Sequence, residues 1–222
     1  MKTLLKTWLP AMGILALCAL IYLIFNWSML TLTHKLSFYA LIVLVLHLFE
    51  EERFPGGFGY LFNMIRSKSE VPDRYPMNPV IAMTVDVLVI FILFSPPLFY
   101  PSVYWLGVAP MFVAVMELLS HGGLGILQWQ KKDTSIYNPG LITAIALSSI
   151  GVTYITVVSS QNLMIEKDWL WAVLYFIAAM IIGLVIPEFG MRSKTAKWGF
   201  DHEHFLGYYK KYTTLEEVFK KE

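Results

Sequence analysis

Residues 36–53 read LSFYALIVLVLHLFEEER, a mostly apolar run that ends in a histidine and three consecutive glutamates. The apolar part, Leu36 to Phe49, has about 14 residues, and a membrane crossing needs about 20. The helix therefore begins earlier, near Met29–His34, or it continues through Glu50–Glu52 until Pro55 stops it. In the second case carboxylates lie at or inside the membrane boundary, where ionisable groups are costly and usually functional.

The rest of the chain has the composition of a membrane protein. Hydrophobic residues make up 57% of the 222 residues and charged residues 15%, well below the roughly 25% charged residues of soluble domains. Apolar windows near 20 residues long predict six spans. They are Trp8–Trp27, Leu36–Arg53, Pro79–Leu98, Val103–Ser120, Asn138–Val158 and Asp168–Pro187. We predict an all-α, polytopic transmembrane bundle over residues 1–190 and a polar, amphipathic cytoplasmic tail over residues 191–222.

The distribution of lysine and arginine predicts the orientation. If the N-terminus is cytoplasmic, only Lys35 and Lys167 of the 17 basic residues fall in loops on the opposite side. This bias matches the positive-inside rule, so we expect both termini in the cytoplasm and the protein in the inner (cytoplasmic) membrane. A net charge of +1 gives no reason to expect nucleic-acid binding. The sequence leaves the oligomeric state open.

Two helices carry matched histidine and glutamate residues. His47, Glu50 and Glu51 occupy positions i, i+3 and i+4, which share one face of a helix. Glu117 and His121 repeat the i, i+4 spacing on the fourth span, where we expect Gly122 and Gly123 to end the helix. Imidazoles and carboxylates at this spacing are typical metal ligands. In the alternative interpretation, these side chains only cap helices or hydrogen-bond to neighbouring helices.

Other polar residues fall in the same half of the bundle. Asn138 followed by Pro139 is a common start signal for a helix, with Asn138 as the N-cap, and it places Asn138 at the cytoplasmic mouth. Glu188 ends the sixth span and is either a base or a boundary charge. Asp86 is expected about 10 Å deep in the third span. The tail segment His202–His204 is either a solvated cluster or a cover for a site.

The motif H-L-F-E-E at residues 47–51 resembles the signature of the HXXEE domain family of small bacterial membrane proteins. Glu117–His121 and Tyr137–Gly140 are similar to its accompanying polar motifs. The resemblance covers roughly Leu36 to Glu188, and it implies an integral membrane enzyme without naming a reaction. It also implies that His47, Glu50 and Glu51 are the signature residues.

These observations predict a metal-dependent intramembrane enzyme that acts on a lipid or another amphiphile. We expect His47, Glu50, Glu117 and His121 as ligands of a divalent metal, zinc being favoured and iron or manganese possible alternatives. Glu51 or Glu188 is then the general acid/base, and Asn138 faces the same layer. A hydrolase is favoured because two histidines, one glutamate and a water form a common catalytic zinc set. The alternatives are a di-iron lipid oxidoreductase, a metal-free isomerase, and a transporter or accessory subunit.

Overall fold

The computed structural model describes residues 1–132 and 134–219, and within them the chain is helical and contains no strand. Six helices are long and apolar enough to cross a membrane, which confirms the predicted number of spans. Their bounds are Lys2–Phe25 (α1), Leu32–Glu52 (α2), Pro79–Phe99 (α3), Tyr104–Lys132 (α4), Leu141–Ser160 (α5) and Glu166–Met191 (α6).

Helix α2 is the central helix of the bundle. In its most apolar window 61% of the residues are buried inside the protein, against 17–33% in the other five helices. The helix both begins earlier and ends later than the apolar run that marks it. Thr31 caps its start by accepting a hydrogen bond from the backbone N–H of His34, and the helix continues through Glu52. Its glutamates therefore belong to the last helical turns, beside the neighbouring helices.

Helices α4 and α5 form the most extensive contact in the bundle, and α5 also packs along α2. Small residues allow the close approach of α4 and α5. Gly107 accommodates the Tyr154 ring, and Gly151 lies against Ala114 and the backbone of Met111. Close packing of this kind is the main source of helix association in a bilayer, where apolar burial between helices contributes little.

The prediction that Gly122 and Gly123 end the fourth span is wrong, because α4 continues to Lys132. A side chain at either glycine would meet nothing within 4 Å, so neither residue makes the close approach that often requires a glycine. The extra turns are held by Leu124 and Leu127, which pack against a second apolar core. Glu117 therefore lies 13 residues into a 29-residue helix, about 20 Å from its start.

The prediction that Asn138 caps the fifth span is also wrong. Helix α5 begins at Leu141, and its N-cap is Gly140, whose φ of 101° lies in the left-handed region that favours glycine. The side chain of Asn138 instead bonds to α4, as described below.

The tail that follows α6 packs against the segment after α2. Phe200, Phe205, Leu206 and Tyr209 share a core with Tyr60 and its neighbours. The backbone N–H of Tyr208 donates to the carbonyl of Gly56 at 3.0 Å. We call this part of the molecule, where α1 begins, α2 ends and the tail packs, the terminal end of the bundle.

Candidate metal centre

Two helices and one loop build a polar cluster near the terminal end. Helix α2 contributes His47 and Glu51, and helix α4 contributes Glu117 and His121, each pair at the i, i+4 spacing. Because α2 is central, the His47 and Glu51 side chains are 3% and 9% exposed. The two imidazole rings meet edge to face with their centroids 5.0 Å apart. The structure thus brings together both predicted histidine–glutamate pairs.

The Nε2 atoms of both imidazoles face the same two carboxylates. His121 Nε2 lies 3.2 Å from Glu51 Oε1, and His47 Nε2 lies 3.7 Å from Glu51 Oε2. Glu117 Oε2 lies 3.7 Å from each of the two Nε2 atoms. Four donor groups therefore surround one small volume.

The Nδ1 atom of His121 is held by Asn138. The amide nitrogen of Asn138 donates to the backbone carbonyl of His121 at 2.8 Å, which leaves its Oδ1 as the acceptor that faces Nδ1 at 2.6 Å. An acceptor at Nδ1 requires a proton there. The neutral His121 ring therefore presents its unprotonated Nε2 to the carboxylates. Asn138 thus acts on the imidazole through this bond rather than as a helix cap.

The Nδ1 atom of His47 is held by the start of α5. It lies 3.1 Å from the carbonyl oxygen of Gly140 and 3.0 Å from the hydroxyl of Thr143. A carbonyl can only accept, so Nδ1 of His47 carries the proton as well. Both imidazoles are therefore protonated at Nδ1. In the neutral ring the Nε2 lone pair faces the cluster, and in the charged ring Nε2–H donates to the carboxylates. Metal-ligating histidines in proteins are generally fixed in this way.

Gly140 lies against both imidazole rings. A Cβ atom at this position would lie 2.8 Å from Nε2 of His121 and 2.9 Å from Cε1 of His47. Only glycine fits this contact, and only glycine adopts the local φ readily. The turn before α5 therefore packs directly against both histidine rings, and it requires glycine at position 140.

Glu50 does not join this cluster. Its carboxylate accepts hydrogen bonds from the backbone N–H and hydroxyl of Thr143, at 2.9 and 2.5 Å. It also accepts from the Tyr137 hydroxyl at 3.1 Å. The carboxylate thereby caps the N-terminus of α5, where unpaired N–H groups favour a negative charge. Successive residues of a helix point about 100° apart, so Glu50 and Glu51 reach different partners.

Glu50 still acts on His47, through Thr143. The Thr143 hydroxyl has a single proton, which it donates to Glu50 in the shortest of its contacts. Its oxygen therefore accepts from Nδ1 of His47. In the loop before α5, burial and then the negative charge of Glu50 raise the pKa of the Tyr137 phenol, which stays a donor. The three signature residues of the motif thus form one connected group.

A small cavity adjoins the cluster between α2, α3, α4 and α6. Its volume is about 70 Å³, room for about two water molecules. Glu51, Glu117 and His47 line it, together with Asp86 of α3, which we did not assign to a site from the sequence. In the described part of the chain its walls contain no lysine or arginine. A bound cation would stabilise the ionised form of these carboxyl groups.

The donor atoms fit a metal ion. One atom each from His47, Glu51 and His121 lies within 4.8 Å of the others. Tetrahedral ligands at about 2.1 Å from zinc are about 3.4 Å from one another. The four nitrogen–oxygen distances of 3.2–3.7 Å are close to that value. The buried His47-Glu51-His121 group could therefore bind a metal ion.

Two other predicted residues lie away from this group. Glu188 pairs with Arg192 on the same helix, at 3.4 Å. In the tail, Nε2 of His204 lies 3.2 Å from a guanidinium nitrogen of Arg53, at the end of α2.

The tail supports the loop that orients the histidines. The Tyr209 hydroxyl donates to the buried Gln128 side chain, whose amide in turn donates to the backbone carbonyls of Ser135 and Tyr137. The Tyr208 ring contacts the Tyr137 ring edge to face. These contacts hold the part of the loop that directly precedes Asn138 and Gly140. Gly140 belongs to the Tyr137–Gly140 stretch that the sequence singled out, but its contact with the two imidazoles was not predicted. Thr143 and Gln128 had no distinctive signal in the sequence, because common residues acquire such roles only through tertiary contacts.

Comparison with known proteins agrees with the motif. No significant match was found among curated proteins or among solved structures. A family model described as "Protein of unknown function with HXXEE motif" matches residues 38–155, more than half of the chain. That range contains the five residues of the motif, the Glu117–His121 pair and the loop before α5. The chain therefore belongs to the HXXEE family.

Proposed function

We propose that this protein is a metal-dependent membrane enzyme that hydrolyses a lipid or another amphiphile. One observation carries the proposal. Two buried imidazoles, each held at Nδ1 by a carbonyl or amide oxygen, direct their Nε2 atoms to the same glutamates. Histidines that bind metals are generally oriented in this way, by a hydrogen bond from the second ring nitrogen.

In this proposal His47, His121 and Glu51 are the metal ligands. This is the two-histidine, one-glutamate set of many catalytic zinc sites. Zinc is favoured, and iron or manganese is the alternative because several carboxylates are present. Relative to the expectation from the sequence, Glu51 takes the place of Glu50 as a ligand, and Glu50 positions His47.

Glu117 is proposed as the general base. Its Oε2 atom lies 3.7 Å from each of the two Nε2 atoms. The side chain is 32% exposed and lines the cavity, so it can contact a water molecule as well as the imidazoles. A bound divalent metal would supply Lewis-acid polarisation and acidify a water molecule. Glu117 would accept a proton from a water molecule at Oε2 and return it to the leaving group. Asp86 lines the same cavity.

The position of the cavity supports an amphiphilic substrate. Its remaining walls are apolar side chains of four membrane-spanning helices, among them Leu44, Val113 and Leu184. A substrate with an ester, amide or phosphoester next to an acyl chain suits such a site. By the positive-inside rule, we propose that the terminal end faces the cytoplasm and that the protein lies in the cytoplasmic membrane.

A metal-free proton-transfer enzyme is the second candidate. It is favoured by the 3.2 Å contact between His121 Nε2 and Glu51, a distance that also suits an imidazolium–carboxylate pair. Such a pair could move a proton in an isomerisation.

Metal analysis tests the proposal. The full chain is purified in mild detergent without chelators, and zinc, iron and manganese are quantified by inductively coupled plasma mass spectrometry. We expect about one equivalent of metal, reduced to below about a tenth in His47→Ala and Glu51→Ala because a ligand is lost. His34→Ala and Glu188→Ala are the matched controls. His34 is a buried histidine of the same helix whose Nε2 contacts the Leu98 carbonyl.

A folded wild-type protein without metal would contradict the proposal and favour the second candidate. Glu117→Gln separates binding from chemistry. If Glu117 is the base, this variant keeps most of its metal and loses hydrolysis of lipid esters, whereas loss of metal would show that Glu117 is a ligand.

A further inference from the structure

A second and larger cavity lies at the terminal end, outside the metal centre. Its volume is about 350 Å³, within the range of small-molecule sites. The first turns of α1, the end of α2, the start of α3 and the tail form its walls. The residues that line it include Lys2, Lys6, Trp8, Glu52, Arg53 and Trp198. None of these is a ligand or the base in the proposed function.

Three cations line this cavity. In the described residues, no ion pair joins Lys2, Lys6 or Arg53 to an acid within 4.0 Å. One guanidinium nitrogen of Arg53 donates to Nε2 of His204. The other guanidinium nitrogens can donate to a ligand. Lysine and arginine arranged around one volume are the usual recognition elements for phosphate oxygens.

The apolar side of the cavity points to an amphiphile. Trp8 and Leu9 are buried in the first turns of a membrane-spanning helix, and Trp198 of the tail lines the same cavity. Tryptophan at the end of a span marks the level of lipid head groups. A ligand here can place its charged group between the cations and the start of an acyl chain against the indoles.

Two acids, Glu52 and Asp201, line the cavity beside the cations. Asp201 also pairs with His204 at 3.6 Å. Their oxygen atoms can accept hydrogen bonds from a head group that extends beyond a phosphodiester. An amine or hydroxyl in that position suits the two acids, because such a group donates to carboxylates.

We propose that this cavity binds the head group of a phosphodiester lipid. The phosphate contacts Lys2, Lys6 and Arg53. An amine or hydroxyl of the head group donates to the acids, and the acyl chain of the lipid extends from the cavity along Trp8. The site is separate from the metal centre and does not depend on bound metal.

Native mass spectrometry of the full chain in non-ionic detergent tests this site, with dioleoylphosphatidylethanolamine as the probe. We expect one retained lipid, and an affinity about tenfold lower in the double variant Lys2→Ala, Lys6→Ala, because charged hydrogen bonds are lost. Both lysines are exposed, so their replacement leaves the fold intact. The matched control is Lys68→Ala, Lys210→Ala, two exposed lysines that do not line the cavity.

Three outcomes would overturn the proposal. They are an equal loss in the control, equal retention of dioleoylglycerol, which has no phosphate, and displacement of the lipid by millimolar inorganic phosphate. The His47→Ala variant keeps the lipid if the two sites are independent. A metal-free protein that retains the lipid would thus contradict the proposed function and support this site.

Discussion

Replacing Gly140 by alanine is the sharpest test of the metal centre, because one methyl group would contact both histidines. The new Cβ atom would lie 2.8 Å from Nε2 of His121 and 2.9 Å from Cε1 of His47. Its nearest neighbour would be Cε1 of His121. Ordinary carbon contacts begin at about 3.5 Å, so the His47 ring must shift by about 0.6 Å and the His121 ring by more. Metal ligation tolerates deviations of about 0.2 Å. The φ of 101° adds strain of about 1–3 kcal/mol for any residue with a side chain.

We therefore expect Gly140→Ala to fold but to bind metal at least ten times more weakly than the wild type. The assay is metal content after purification, followed by zinc titration of the chelator-treated protein against a chromophoric chelator. Size-exclusion chromatography and circular dichroism verify that the variant is folded. Gly122→Ala is the matched control, since it makes the same change next to His121 where a Cβ meets nothing within 4 Å. Equal metal affinity in the two variants would refute the described geometry.

Three further predictions concern the groups that orient the site. Glu50→Gln weakens the cap of α5 and lowers stability by about 1–2 kcal/mol; a thermal unfolding midpoint equal to that of the wild type would contradict that role. Asn138→Ala frees the His121 ring and lowers zinc affinity about 10–100-fold in the chelator competition, and unchanged affinity would argue against it. Tyr209→Phe leaves buried Gln128 without its phenol donor and costs about 1–3 kcal/mol in the same thermal assay. Tyr100→Phe, at an exposed position away from the tail, is its control.

The six spans could be predicted from hydropathy because a bilayer requires long apolar helices. The ends of those helices were less predictable. Gly122 and Gly123 carry a typical termination signal, yet packing of the following leucines keeps α4 helical. Asn138 and Pro139 carry a typical start signal, yet the asparagine bonds to His121. In both cases tertiary contacts outweigh local preference.

Within the site, the spacing indicated which residues share a face but not which partners they meet. Positions i+3 and i+4 are both within reach of His47, so the sequence alone could not separate Glu50 from Glu51. The separation depends on α5, whose first N–H groups lie beside Glu50. Asp86 lines the cavity only because α3 packs beside α2 and α4, and no local pattern predicts that placement.

The contact between the tail and the loop before α5 also has a consequence for biosynthesis. A ribosome completes all six membrane helices before it makes Tyr208 and Tyr209. The newly inserted bundle thus already contains His47, Glu51 and His121 but lacks the support of the loop that orients them. We expect a nascent chain stopped after α6 to exchange its metal quickly, and the metal to become firmly bound only when the tail docks. Docking of the tail would then follow membrane insertion and complete the support of the loop.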